Sequence, residues 1–265
     1  MDARVRIFVG AYGSGKSEVA VHVAFDLAAA GSRVAIADLD IVNPFFRSRE
    51  LRADLEAAGV WVIAPEGELA QADLPIITPE VRSALGETDL ALVLDVGGDD
   101  AGARALSQFR PFIPEGQTSM AMVVNDRRPW TDSIAGIERT LRRVEANARF
   151  RVTCLVSNPN LGEETTLEVV MRGHALICEA GRALGLPVDV LVVTEAIADI
   201  LPPEATLGVP VLRLRRRLLP PWQGDPFRLA PPRDRRTHMM RLENEEQRAR
   251  NAVRAHGGKP NGEPH

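Results

Sequence analysis

Lysine is almost missing from this chain. Of its 32 basic residues only Lys16 and Lys259 are lysine, so arginine carries nearly all the positive charge. A planar guanidinium suits oxyanions that present two oxygens, whereas an ammonium on a flexible stem reaches phosphate oxygens as a point charge. The one lysine before residue 259 therefore marks a place where the chemistry asks for an ammonium. Cysteine is scarce too. Cys154 and Cys178 stand alone, with no C-x-x-C and no Cys/His cluster, which leaves no disulfide framework and no zinc or iron–sulfur ligand set to read. Both are expected to be small core hydrophobes. No run approaches the roughly 20 apolar residues of a membrane-crossing helix. Nothing at the amino end resembles a charged segment followed by an apolar one. A cytoplasmic protein without a membrane partner is expected, and no nucleic-acid partner is expected either.

What is present is unevenly placed. The net charge is −4, yet residues 213–265 carry 13 basic against 6 acidic side chains, and residues 1–212 carry 19 against 30. The body is acidic and the tail basic. Apolar runs recur at Arg4 to Gly10, Arg33 to Ala37, Val60 to Ala64, Leu90 to Leu94, Ser119 to Val124, Val152 to Val156 and Val188 to Val193, separated by segments of helical length. Residues 16–30 read as a helix closed by Gly31, and Arg47 to Ala58 as another. Residues 65–88 read as a surface excursion with a short helix from Pro79. Continuous rather than alternating apolar strands imply burial on both faces. The pattern predicts an α/β fold: a mostly parallel, doubly wound sheet covered by helices on both faces. Residues 1–213 are assigned to one nucleotide-binding domain. Residues 214–265 are assigned to a mobile, basic Pro/Arg-rich tail, with one short helix from Thr237 to Ala255.

Three segments at strand ends carry chemistry. Gly10-Ala11-Tyr12-Gly13-Ser14-Gly15-Lys16-Ser17 fits G-x-x-x-x-G-K-[ST] between a predicted strand and a predicted helix. Its glycines let backbone N–H groups wrap around phosphates at a helix N-terminus. Lys16 would reach the β- and γ-oxygens, and Ser17 would offer its hydroxyl to Mg²⁺. Asp95-Val96-Gly97-Gly98 is a D-x-x-G arrangement, with Asp95 expected in the metal shell and the Gly98 N–H on the γ-phosphate. Asp38 and Asp40 stand two residues apart, so an extended chain turns both toward the metal and the attacking water. His174 and Cys178 share a helical face with Leu167 and Met171 and read as core. Tyr12 and Trp130 read equally as base-stacking or packing residues. Phe45, Phe46, Arg47 and Arg49 read as a partner surface or as anchors of the next helix.

The loop at Gly10 to Ser17, the D-x-D-x-x-x-P of Asp38 to Pro44 and the Asp95 to Gly98 turn, in this order and spacing, resemble the ParA/MinD/NifH-like P-loop ATPases of the CobQ/CobB/MinD/ParA superfamily over residues 4–213. The resemblance implies ATP hydrolysis coupled to a switch. It places Asp38 near Mg²⁺, Asp40 on the water and Asp95 in the Walker B role, with Asn158 in Cys154-Leu155-Val156-Ser157-Asn158 reading adenine. The function it implies is that of an accessory ATPase acting on a partner enzyme, with a homodimer left open.

The departures shape that expectation. ParA and MinD carry a lysine near the start of the loop that crosses a dimer interface, and Ala11 stands there. Hydrolysis is therefore expected to be slow without a partner, unless an arginine such as Arg47 or Arg49 supplies the charge. The C-x-x-C pairs of cluster-carrying relatives are absent, as is a membrane-targeting terminal helix. Three other readings remain open: an ATP-dependent small-molecule enzyme similar to dethiobiotin synthetase or the CobB-type ligases, a GTPase metallochaperone, and a non-catalytic nucleotide sensor. An N-K-x-D guanine signature is missing after both Asn125 and Asn158.

Overall fold

The computed structural model describes residues 3–39, 51–63, 79–98 and 100–218. The described chain lies in one unit, Met1–Leu219. Eight strands form it: β1 (Val5–Val9), β2 (Arg33–Leu39), β3 (Val60–Ile63), β4 (Leu90–Val96), β5 (Thr118–Val124), β6 (Cys154–Ser157), β7 (Val188–Thr194) and β8 (Val211–Leu214). They make a single sheet in the order β3-β2-β4-β1-β5-β6-β7-β8, with every pairing parallel. The helices are α1 (Lys16–Ala29), α2 (Arg52–Ala57), α3 (Pro79–Gly86), α4 (Asp100–Ser107), α5 (Ile134–Ala148), α6 (Leu167–Leu184) and α7 (Glu195–Ala198).

Both faces of the sheet are buried, as unbroken apolar strands require. On one face, Phe8, Ile36, Val93 and Val123 pack with Val19, Ala20 and Ala24 of α1 and Leu55 of α2. On the other, Ile7, Ala37, Leu94 and Met122 pack with Val81 of α3, Leu106 of α4, Ile137 of α5 and Ile177 of α6. The chain reverses direction along the sheet between β1's two neighbours, β4 on one side and β5 on the other. Loops that leave the carboxyl ends of β1, β4 and β5 consequently converge on one crevice.

Seven of the eight strands coincide with apolar runs. The eighth does not. Val-Leu-Arg-Leu at 211–214 is a short edge strand with one buried residue, Leu214, so no apolar run announces it. The chain stays attached beyond it. Leu218 is buried against the α1 face of the sheet, and Arg217 lies 4.0 Å from the ring centroid of Phe25. Residues 215–218 are thus docked on the body, and the proposed tail helix at 237–255 lies outside the described residues.

Helix ends follow their sequences. Ser133 caps α5 by accepting from Gly136 N at 3.2 Å, and Thr166 caps α6 by accepting from Val169 N at 3.3 Å. Helix α1 ends where Gly31 takes a left-handed φ of 84°, with Ser32 N donating to Leu27 O and Gly31 N to Ala28 O. The buried face of α6 runs through Val170, Gly173, His174, Ile177 and Ala180, while Met171 is exposed. The face therefore sits about one position away from the expected one: His174 belongs to it and Met171 does not. Cys178 is half-buried. Burial pushes the Cys154 thiol up to about 11, which suits an inert core residue.

His174 is fully buried. Its Nε2 lies 2.9 Å from Thr206 O, which can only accept, so Nε2 carries the proton and Nδ1 accepts from Ser157 Oγ at 2.9 Å. Burial holds its pKa below the ordinary histidine value. The unfolded chain therefore takes up the proton first as pH falls, and stability attributable to His174 is lost below about pH 6.5, the ordinary histidine value. Glu18 and Asp126, both raised by burial, act in the opposite sense at acid pH. The comparison must accordingly be made within a variant pair. Melting curves of His174→Gln, which cannot be protonated, should show a shallower loss of stability from pH 7 to 5 than those of the parent protein. Parallel acid limbs would exclude this role.

Candidate functional site

Strand β1 delivers the chain to Gly10, and α1 begins at Lys16. The turn between them is drawn tight by Ser14 N donating to Ala11 O at 3.0 Å. Gly13 and Gly15 take φ values of 74° and 87°, left-handed values that side chains resist. Unlike α5 and α6, α1 starts at Gly15 without a side-chain cap. Its first-turn N–H groups therefore stay available to an anion.

Two outside residues hold successive carbonyls of this turn. Asn158 Nδ2 donates to Ser14 O at 2.7 Å, and Arg128 Nε donates to Gly13 O at 3.0 Å. A peptide plane sets C=O and N–H on opposite sides. Pulling Ser14 O outward thus turns Gly15 N–H inward. Asn158 arrives from the end of β6, where its N–H donates to Val124 O at 2.9 Å. Asn160 completes the buttress: its Nδ2 donates to Asn158 O at 3.0 Å, and its N–H to Asn125 Oδ1 at 3.1 Å. Neither Asn125 nor Arg128 was a candidate from sequence. The signal that could have found them is the length of the polar run Asn125-Asp126-Arg127-Arg128 directly after an apolar strand.

The carboxylates come from the other side of β1. Asp38 and Asp95 are direct register partners on parallel strands β2 and β4, and Asp95 is also the partner of Phe8 on β1. Side chains alternate along a strand, so Asp38, two residues beyond Ile36, and Asp95, two beyond Val93, both lie on the α1 face. That is the face from which Lys16 and Ser17 emerge at the first turn of α1. All four are buried: Lys16 4%, Ser17 5%, Asp38 7% and Asp95 0% exposed. Gly98 closes the arrangement against the loop. A Cβ built there would sit 2.8 Å from Gly10 O and 3.0 Å from Tyr12 N, both backbone atoms that cannot step aside singly. An ammonium, a hydroxyl, two carboxylates and inward N–H groups converge on one end of the sheet. That donor set suits a divalent cation with a polyphosphate.

The structure separates several other candidates. Ala11 is 1% exposed, so the position that carries an interface-crossing lysine in ParA and MinD here holds a buried methyl group. Tyr12 and Trp130 are 63% and 64% exposed and take no part in the core. Asp40, Asn43 to Arg49 and residues 64–78 lie outside the described residues. Among the described residues no group of three or more His, Cys, Asp and Glu forms a metal cluster, and no helix is long and apolar enough to cross a membrane.

The ATPase MipZ family matches the chain over residues 7–67, from β1 through the Gly-rich turn and β2. No curated protein matches the sequence. Among solved structures, FtsY from Thermotoga maritima is 21% identical at a TM-score of 0.50, covering 77% of this chain and 66% of that one. Chloroplast FtsY from Physcomitrella patens is 18% identical at 0.49, covering 76% and 62%. A nucleotide-binding protein from Archaeoglobus fulgidus, in complex with ADP, is 21% identical at 0.46, covering 77% and 87%. The chain spans about two thirds of the FtsY chains it matches. At these identities the likeness is one of fold. The MipZ match falls on the Gly-rich turn itself, and the all-parallel eight-stranded sheet with its helices is an α/β fold of the P-loop nucleotide-binding kind.

Proposed function

We propose that this protein is a Mg²⁺-dependent ATP-binding and hydrolysing switch, an accessory ATPase whose nucleotide state governs its hold on a partner enzyme. The observation that carries the reading is the convergence of Lys16, Ser17, Asp38 and Asp95 on the α1 face at the carboxyl ends of β1, β2 and β4. In this reading the loop N–H groups from Gly10 to Ser17 enclose the β-phosphate, and Lys16 neutralises the β- and γ-oxygens. Ser17, Asp38 and Asp95 hold the metal shell, and Gly98 presents its N–H to the γ-phosphate. The ion, when bound, would draw charge from the phosphate oxygens as a Lewis acid. Asp40, one residue past the end of β2, is assigned to orienting the attacking water.

Adenine is favoured over guanine by the absence of N-K-x-D and by the amide of Asn158. Its Nδ2 is committed to Ser14 O, while its Oδ1 makes no hydrogen bond among the described residues. A free amide oxygen accepts from the exocyclic amine of adenine and repels the carbonyl of guanine. A protein partner is inferred from the type of switch. The exposed Tyr12 and Trp130, on loops that leave β1 and β5, are the described aromatic side chains through which a partner could sense the nucleotide.

Two experiments test the site. Lys16→Ala should keep its melting temperature without nucleotide but lose the stabilisation conferred by Mg·ATP, and in the parent protein ATP should stabilise more than GTP. Full stabilisation of Lys16→Ala would move the site elsewhere, and a preference for GTP would remove Asn158 from base recognition. Gly98→Ala pushes a methyl into the loop backbone and should weaken nucleotide affinity by about tenfold or more, roughly 1.4 kcal/mol. Gly86→Ala, where an added Cβ meets nothing within 4 Å, is the matched control. Equal affinities in isothermal titration would show that the Gly98 segment yields and does not shape the loop.

A further inference from the structure

Arg128 lies directly on the loop and holds Gly13 O, but beyond that one bond its guanidinium has no role in the site. Its backbone is fixed by one residue. Asn125 accepts from Arg127 N at 3.0 Å through Oδ1, donates to Asn160 O at 2.9 Å through Nδ2, and through its carbonyl accepts from Arg128 N at 3.2 Å and Thr131 Oγ1 at 2.6 Å. The guanidinium then fills the space a side chain would take at Gly13. A Cβ built on Gly13 would be 2.8 Å from Arg128 Nε and 3.0 Å from Cζ. Among the described residues only Nε makes a hydrogen bond, on Gly13 O. Nη1 and Nη2 make no hydrogen bond, and no ion pair joins Arg128 to a carboxylate among the described residues; the adjacent acid, Asp126, pairs with Arg127 at 3.1 Å.

A half-buried arginine with two idle Nη groups, on the phosphate loop of an acidic body, is placed for an anion that arrives later. We propose that Arg128 is the cation supplied in cis to the transferred phosphoryl group, standing in for the loop lysine that Ala11 replaces. This rests on the proposed reading of the site as one that hydrolyses a nucleoside triphosphate. In that reaction the water oxygen forms its bond to the γ-phosphorus as the bond to the β–γ bridging oxygen breaks. The electron pair leaves with the diphosphate, and the water proton ends on the released phosphate. Negative charge grows on the equatorial and bridging oxygens, where a guanidinium fork can reach two of them at once. Arginines supplied to phosphate-loop sites raise turnover by about 10³ to 10⁵. A cis arginine is compatible with slow basal turnover, since Gα proteins with theirs in place turn over at about 10⁻² s⁻¹.

The test compares parent protein, Arg128→Ala and Arg128→Lys for ADP binding, for binding of ADP with aluminium fluoride as the mimic of the transferred phosphoryl, and for turnover of Mg·ATP and Mg·GTP. Arg128→Ala removes the donor to Gly13 O in every state, so it should weaken ADP with aluminium fluoride about tenfold or more beyond whatever it costs ADP alone, and turn over about 10³-fold more slowly. Arg128→Lys should recover part of both losses. Arg128 acts only as a prop for Gly13 O, and the proposal falls, if Arg128→Ala weakens ADP and ADP–aluminium fluoride alike. Unchanged turnover in Arg128→Ala also overturns it. A parent protein that hydrolyses neither nucleotide sinks the underlying reading together with this one, and that outcome is visible before any variant is made.

Discussion

The hold on two loop carbonyls, Gly13 O by Arg128 and Ser14 O by Asn158, is the constraint on which the rest of the site depends. A glycine-rich turn is entropically costly to hold in one shape. Left alone, Gly13 and Gly15 would sample conformers in which the N–H groups do not converge. The side-chain hydrogen bonds fix two peptide planes, and the outward turn of Ser14 O leaves Gly15 N–H facing inward. Their donors stand on the ends of β5 and β6, strands whose core residues are fully or nearly fully buried. The phosphate loop thus takes its rigidity from the sheet and not from its own sequence.

Sheet order explains why the anchors and the carboxylates do not compete. With β1 central, β4 and β2 lie on one side and β5 and β6 on the other. Acidic groups come from the first pair, as Asp95 and Asp38. Amide and guanidinium groups come from the second, as Asn158, Asn160, Asn125 and Arg128. A metal ion would face the acidic side of the loop, and the base and Arg128 the other. The division follows from parallel topology, which places every strand's carboxyl end on the same edge and sorts the loops by distance from β1.

Much of this could be read from the chain because buried parallel strands are continuous apolar runs. Arg4 to Gly10 or Leu90 to Leu94 cannot be solvated on either face and so declare both the element and its layer. The Gly10 to Ser17 turn was legible for a similar reason: glycine and lysine are required there by backbone geometry and charge, at fixed spacing. What could not be read depends on distance in sequence. Asn158 was taken from its motif as a base reader, and its grip on Ser14, 144 residues away, has no local signature. The same holds for Arg128 and Gly13. Strand β8 escaped because an edge strand with a single buried residue has neither a continuous nor a cleanly alternating pattern.

The tail boundary shows the same logic at the other end of the chain. Residues 215–218 read as the start of an arginine-rich tail, yet Glu18 holds them: one carboxylate oxygen accepts from Arg217 N at 2.5 Å and the other from Leu218 N at 2.8 Å. Burial raises the Glu18 pKa, and the two backbone N–H groups, with Arg216 and Arg217 nearby, work against that rise. The charged form is therefore the one the clasp stabilises, since only a carboxylate offers both oxygens as acceptors. Glu18 directly follows Ser17, so the last described segment is fastened to the first turn of α1. The position of that turn sets where Arg217 and Leu218 can sit.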